Sequence, residues 1–315
     1  MHPALSIVFF TTASGAGFAL IFLLGLAAPL GLLPPNAGFG FVALTVAVSL
    51  AGGGLASSAF HLGRPERAWR AFSQWRSSWL SREGVFSVLT FLPAAVFGIG
   101  WVIFDTTAGL VGLCGILAAA LAVATIYCTG MIYASLKPIH QWRNPWVVPN
   151  YYALGLMSGL VILNFLVRLW EPRAPSVAVL TMIAVLVAWR MKEGYWQAID
   201  TTSATSTIAS ATLLGRRGKV RLFEGPHTEE NYLLKEMGFS LARKHRVRLR
   251  RLARLAAFGL PFLLTLLALL FGGVIGVSAA GLAVLIAALG LVVERWLFFA
   301  EAKHTVTLYY GAEAV

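Results

Sequence analysis

Long apolar runs recur along the chain, separated by short breaks that are charged or rich in Gly and Pro. A run of about 20 apolar residues can cross the hydrocarbon core of a bilayer as a helix. We predict such helices at residues 5–30, 39–60, 83–104, 109–133, 151–170, 175–189, 255–276 and 279–299. The pattern predicts an all-α integral membrane protein, a bundle of eight transmembrane helices.

The composition supports a membrane protein. Of the 315 residues, 58% are hydrophobic and 12% are charged, and the mean hydropathy is +0.76. A soluble domain has about a quarter charged residues, so a soluble enzyme is excluded. We predict one membrane domain over residues 1–315, with a polar connecting segment at 190–254 between helices six and seven. The first run lacks a basic leader and a small-residue cleavage site, and we predict that it is a retained helix.

The basic residues are distributed unequally between the two sides of the predicted bundle. An even number of helices places both termini on one side, together with residues 61–82, 134–150 and 190–254; we call this side face A and the other face B. All Lys and Arg residues except Arg168 and Arg173 belong to face A. The positive-inside rule then places face A and both termini in the cytoplasm, for a multi-pass protein of the inner membrane.

The net charge of +12 is divided among basic segments that alternate with apolar spans. Because these segments do not form one continuous stripe, nucleic-acid binding is not expected. The connecting segment 190–254 has apolar residues between 232 and 241 and arginines between 246 and 254. We interpret it as a surface for a partner or for anionic lipid, with a solvated loop as the alternative.

No metal site is expected in this chain. Cys114 and Cys128 lie in one apolar run and are too few to hold an iron–sulfur cluster, so we interpret them as core residues. None of the six histidines falls in the middle of an apolar run, so a haem within the membrane is not expected. A haem near face A, with His61 or His304 as ligand, stays open.

The densest group of polar and aromatic residues is at positions 57–83. His61 ends the second predicted helix and Glu83 begins the third, so both lie at face A. An imidazole and a carboxyl group that exchange protons suit a quinone, whose two-electron chemistry also moves two protons. The alternatives are an interfacial His61, a Glu83 that stabilises a helix N-terminus, and tryptophans of an ordinary interfacial belt.

The first helix contains a run of small residues at positions 11–17. Such a run lets helices approach closely, or it leaves room for a flat ring beside His61. We predict a quinone site with His61 and Glu83 as the acid–base residues, and with Ser14, Gly15, Gly17, Arg64 and Arg67 around the ring. The arginines would stabilise negative charge on a quinone oxygen. We predict that a partner protein docks on Arg70, Trp75, Arg76, Trp79 and Arg82.

Residues 61–83, together with Met1-His2-Pro3 and Ser14-Gly15-Ala16-Gly17, resemble the membrane-anchor subunit of the dimethyl sulfoxide reductase family. That family belongs to the polysulfide-reductase-like group of quinone-interacting anchors. The resemblance implies a heterotrimer, in which a molybdopterin catalytic subunit and an iron–sulfur subunit sit on an anchor without a redox metal. It also implies that the anchor exchanges electrons with ubiquinone or menaquinone, that His61 and Glu83 belong to the quinol site, and that the loop arginines lie near the iron–sulfur partner.

The substrate of such a complex depends on the side of the membrane. In this group, dimethyl sulfoxide reductases export the catalytic subunit, whereas quinone-linked sulfite dehydrogenases keep it in the cytoplasm. The charge distribution favours sulfite oxidation with quinone reduction. The alternative is a reductase of sulfoxides or N-oxides that oxidises menaquinol. A transporter is a further alternative, but we find no inverted repeats and no charges near the midplane. An anchor without a quinone site is another.

Overall fold

The computed structural model describes residues 5–59, 64–202, 206–224, 245–310 and 312–313. In this part of the chain, eight helices of 22 to 28 residues are long and apolar enough to cross a membrane. The predicted eight-helix membrane bundle is confirmed. The helices are α1 (Leu5–Ala27), α2 (Ala37–Ser58), α3 (Trp79–Ile103), α4 (Gly109–Ala134), α5 (Val147–Trp170), α6 (Pro175–Thr201), α7 (Arg246–Leu270) and α8 (Gly273–Ala300).

Helix α3 begins four residues earlier than the apolar pattern indicates. Ser78 is its N-cap, with a side-chain oxygen that accepts a hydrogen bond from the backbone N–H of Ser81 at 3.4 Å. Such a cap satisfies one of the free N–H groups of the first turn. Glu83 therefore lies in the second turn of α3, inside the bundle, rather than at the helix N-terminus.

Helices α6 and α7 extend beyond their predicted ends into the segment 190–254. Arg254 Nε donates to Glu193 Oε1 at 2.5 Å, and Arg250 Nη1 donates to Asp200 Oδ2 at 2.5 Å. These ion pairs join the two helices where the apolar pattern stops, so hydropathy misses both ends. The apolar residues at 232–241, which we interpreted as a docking surface, lie outside the described residues.

Helix α1 packs closely against α2 because both helices have small residues at their contact. A Cβ atom added to Gly17 would lie 2.3 Å from the backbone N of Ala51, and one added to Gly54 would lie 2.6 Å from the backbone N of Ser14. Only a residue without a side chain fits at such distances. The glycines thus fix the spacing of α1 and α2, which in turn sets the width of the cavity described below.

Candidate functional site

A cavity of about 660 Å³ lies where helices α1 to α4 reach face A. Its walls come from these helices and from the 3-10 segment Pro65–Gln74 between α2 and α3. Mostly apolar walls with a few polar groups are typical of a small-molecule site. The described residues that line it are Ile7, Phe10, Leu55, Ser58, Arg64, Arg67, Ala68, Trp69, Ala71, Phe72, Leu80, Ser81, Glu83, Gly84, Ile132 and Tyr133.

Glu83 has the only carboxyl group among the described residues that line this cavity. Its side chain is buried, with 3% of the residue exposed. The hydroxyl of Thr129 on α4 donates a hydrogen bond to Glu83 Oε1. Among the ion pairs of the described residues, none includes Glu83, so its carboxyl group can exchange a proton with a bound molecule without breaking a salt bridge.

The segment Pro65–Gln74 brings two of the predicted arginines to the cavity. Arg64 and Arg67 line it, and the ring of Phe72 lies against α3, where a Cβ atom on Gly84 would be 3.2 Å from Phe72 Cε1. The missing side chain at Gly84 therefore lets the segment lie flat on α3. Three of the predicted site residues, Arg64, Arg67 and Glu83, are brought together.

His61 lies outside the described residues. In the sequence it stands three residues after Ser58 and three before Arg64, and both of these line the cavity.

Ser14, Gly15 and Gly17 of α1, which were predicted to surround the quinone ring, do not line this cavity. Ser14 and Gly17 lie in the contact with α2, and the Ser14 hydroxyl donates to the carbonyl of Phe10 at 2.6 Å. Gly15 lines a separate space of about 20 Å³ beside Arg295. The residues of α1 that line the large cavity are Ile7 and Phe10, which lie closer to face A.

The predicted docking residues form a surface of Arg and Trp side chains at face A, in which Arg70, Trp75 and Arg76 are exposed and Trp79 and Arg82 are half-buried. Arg76 lies over the ring of Trp75 at 5.8 Å, and Arg82 lies over the ring of Trp79 at 4.2 Å. Arg82 also donates to two backbone carbonyls of the loop, at 2.9 and 2.7 Å. Arg70 lies over Trp69 at 5.6 Å. Stacking on the rings orders the guanidinium groups while leaving them accessible.

The structure places Thr129 and Tyr133 beside Glu83, and neither was among the site residues predicted from the sequence. Tyr133 lines the cavity and stacks on Tyr151 of α5, with ring centroids 5.9 Å apart and planes at 14°. Thr129 and Tyr133 are four residues apart near the end of an apolar run, so they share one helix face. This four-residue spacing of two polar residues was the sign in the sequence that both face the same part of the bundle.

A buried charged cluster was also missed. Glu294 of α8 accepts hydrogen bonds from Arg295 Nε at 2.5 Å and Nη2 at 2.8 Å, and it pairs with Lys192 of α6. All three side chains are at most 4% exposed. From the sequence, Lys192 falls in the predicted connecting segment 190–254, and Arg295 lies near the end of the last predicted helix. The adjacent Glu294 and Arg295 inside the run 279–299 were the visible sign of a buried pair.

The residues that the structure describes contain no group of three or more His, Cys, Asp or Glu side chains arranged to hold a metal ion. Cys114 and Cys128 are both free thiols, and Cys128 is buried.

Fold and site together define a multi-pass membrane protein, with a small-molecule cavity at one membrane boundary and an exposed Arg–Trp surface beside it. The chain belongs to the family of DMSO reductase anchor subunits (DmsC), which it matches over residues 1–311. It is 33% identical over 331 aligned residues to a sulfite dehydrogenase subunit of Allochromatium vinosum, and the alignment covers all of both chains.

These comparisons confirm the predicted family and the predicted role as the membrane anchor of a molybdoenzyme. An anchor subunit operates with separate catalytic and electron-transfer partners.

We expect Glu294→Gln to destabilise the bundle by about 3–5 kcal/mol, because Lys192 and Arg295 would keep their charges without a carboxylate. Unfolding of the detergent-solubilised protein by heat or denaturant measures the change in the free energy of unfolding. Glu66→Gln is the control, because Glu66 forms only an exposed pair with Arg67 at 3.9 Å, worth about 0–1 kcal/mol. Equal stability of the two variants would contradict the structural role of the cluster.

Proposed function

We propose that this chain is the quinone-reactive anchor of its complex and that the cavity at face A receives the quinone headgroup. The observation that supports this most directly is the position of Glu83, a buried carboxyl group in an apolar-walled cavity with two arginines, at the depth where a membrane quinone presents its ring. An anchor without a quinone site would have no need for a carboxyl group there, because its burial costs free energy without a compensating ion pair.

The residues of this cavity fit the chemistry of a quinone. A bound quinone accepts two electrons and two protons, and each carbonyl oxygen becomes a hydroxyl. Glu83 exchanges one proton, and His61 exchanges the other from the segment between Ser58 and Arg64. Arg64 and Arg67, which line the cavity with exposed side chains, stabilise negative charge on an oxygen before its proton arrives.

The electrons come from an iron–sulfur subunit that docks on face A and connects the anchor to a molybdopterin catalytic subunit. The Arg–Trp surface of Arg70, Trp75, Arg76, Trp79 and Arg82 supports this position, since its arginines at 70 and 76 are exposed. It lies beside the cavity in sequence and in space, since Trp69 and Phe72 of the same segment line the cavity wall. Arg and Trp are enriched at the centres of protein interfaces.

We place face A in the cytoplasm and the chain in the inner membrane. The support is the distribution of Lys and Arg, which leaves only Arg168 and Arg173 for face B. Arg168 is itself buried, with 1% of the residue exposed, so it adds little to the exposed charge of face B.

For the overall reaction we propose oxidation of sulfite coupled to quinone reduction. Sulfite and water give sulfate, two electrons and two protons, and the quinone takes up two electrons and two protons. The full-length similarity to a sulfite dehydrogenase subunit supports this. The second candidate, oxidation of menaquinol by a sulfoxide or N-oxide reductase, is supported by the family description, and the side of the membrane distinguishes the two.

We expect Glu83→Gln and His61→Ala to lower quinone-linked turnover of the whole complex by about 10²–10⁴-fold, because each removes an acid–base group. Activity of the catalytic subunit with an artificial dye should not change. Glu171→Gln, at the exposed face-B end of α5, is the control. Normal quinone turnover in both site variants would place the quinone elsewhere.

We expect Arg70→Glu combined with Arg76→Glu to weaken binding of the iron–sulfur subunit by at least about tenfold, because two exposed positive charges become negative at the interface. Titration of the detergent-solubilised anchor with its partner subunits measures this affinity. Arg173→Glu, exposed at face B, should bind as the wild type does. An equal loss of affinity in the control would show that the partner does not select face A.

Orientation predicts the outcome of reporter fusions. With face A in the cytoplasm, green fluorescent protein fused after Val315 should fluoresce, and alkaline phosphatase at the same position should be inactive. Fused in the face-B connection between α1 and α2, alkaline phosphatase should be active and green fluorescent protein should not fluoresce. Active phosphatase after Val315 would reverse the orientation and favour the exported reductase.

A further inference from the structure

A second, more open space follows the contact of α2 and α3 on the lipid-facing surface of the bundle. It is a groove of about 580 Å³, and its floor is where Leu44 meets Gly98, with 3.4 Å between Leu44 Cδ1 and a Cβ atom built on Gly98. Its lining is apolar except for Thr45 and Ser49. The groove is lined by Phe41, Leu44, Thr45, Val48, Ser49, Phe91, Ala94, Ala95, Gly98, Ile99, Val102 and Ile103.

The groove and the face-A cavity lie on one line along α2. Residues three and four apart share a helix face, so Phe41, Thr45 and Val48 of the groove continue to Gly52 and then to Leu55, which lines the cavity. A Cβ atom on Gly52 would have no atom within 4 Å. Position 52, which lies between the groove and the cavity on this face of α2, is therefore open.

The same alignment holds on α3. Leu80 and Gly84 line the cavity, and Phe91, Ala95 and Gly98 line the groove at intervals that keep one helix face. From Leu55 to Phe41 the path is about 21 Å long, at ~1.5 Å per residue, which is roughly two-thirds of the hydrocarbon core. The path starts at the face-A boundary and ends near the face-B ends of the two helices, since Ile103 is the last residue of α3.

We infer that this groove binds the isoprenoid tail of the quinone, and that the quinone enters the cavity from the bilayer between α2 and α3. The inference rests on the proposed function of the cavity. A molecule that fits both spaces has an uncharged polar ring at one end and a long hydrocarbon chain at the other. A phospholipid, whose phosphate would suit Arg64 and Arg67 but not the neighbouring Glu83 carboxyl group, is the competing occupant, and the experiment below separates the two.

Gly52 and Gly53 provide a matched pair of variants. Neither has an atom within 4 Å of an added Cβ, so at both positions a side chain begins in open space. Leucine at position 52 would stand in the path between groove and cavity, whereas at position 53 it would point about 100° around the helix into lipid. Ala95→Phe on the exposed groove wall of α3 is a second obstruction that avoids glycine replacement.

The experiment measures KM and kcat of the complete complex in vesicles, with a quinone that has several isoprene units and with the same ring without a tail. Gly52→Leu and Ala95→Phe should raise KM for the tailed quinone about tenfold, since loss of contact with even two methylene groups has this effect. KM for the tail-less quinone should not change, and Gly53→Leu should match the wild type with both.

An unchanged KM for the tailed quinone in both Gly52→Leu and Ala95→Phe would overturn the inference and indicate that ordinary lipid occupies the groove. An equal rise for the tailed and the tail-less quinone would also overturn it, because the cavity itself would then be disturbed. Failure of the wild-type complex to reduce either quinone would instead refute the proposed function, so the two failures are distinguishable.

Discussion

The hydrocarbon interior of a bilayer provides no solvent for a charge, and this constraint organises the second half of the bundle. Glu294 is shared by Lys192 and Arg295, which joins α6 to α8, and Arg295 lies over the ring of Tyr151 on α5 at 4.7 Å. A carboxylate with two cations leaves an excess positive charge, which the faces of buried aromatic rings partly compensate. The ion pair between α6 and α8 and the cation–π contact with α5 hold the three helices together where lipid offers no hydrophobic driving force.

The same pairing continues outward to face A. Arg250 of α7 bonds Asp200 of α6 and Glu301, which directly follows α8, with 2.7 Å from Arg250 Nε to Glu301 Oε1. Burial raises the pKa of Glu301, and the neighbouring Arg250 opposes that rise. These contacts fix the ends of three helices at one boundary, so the bundle presents a rigid surface at the side where we propose that the partner docks.

Glu83 differs from the other buried carboxyl groups of the described residues. Glu294 and Glu301 are neutralised by cations, whereas Glu83 has the hydroxyl of Thr129 and an open cavity. A carboxyl group that stabilised the fold would be expected to have a cation, as the other two have. The contrast divides the bundle into a paired half, α5 to α8, that supports the structure, and a half, α1 to α4, that contains the candidate site.

The sequence by itself determined the eight spans, the unequal basic charge of the two faces, and the polar and aromatic group at residues 61–83, because length, hydropathy and charge are local properties. Only the tertiary structure decided that Glu83 faces Thr129, that Ser14 and Gly17 pack against α2, and that Lys192 and Arg295 meet at Glu294. A helix that is apolar on all sides gives no periodic signal of which face is turned inward. Apart from the adjacent pair Glu294 and Arg295, each of these contacts joins two different helices, so it exists only once the bundle is assembled.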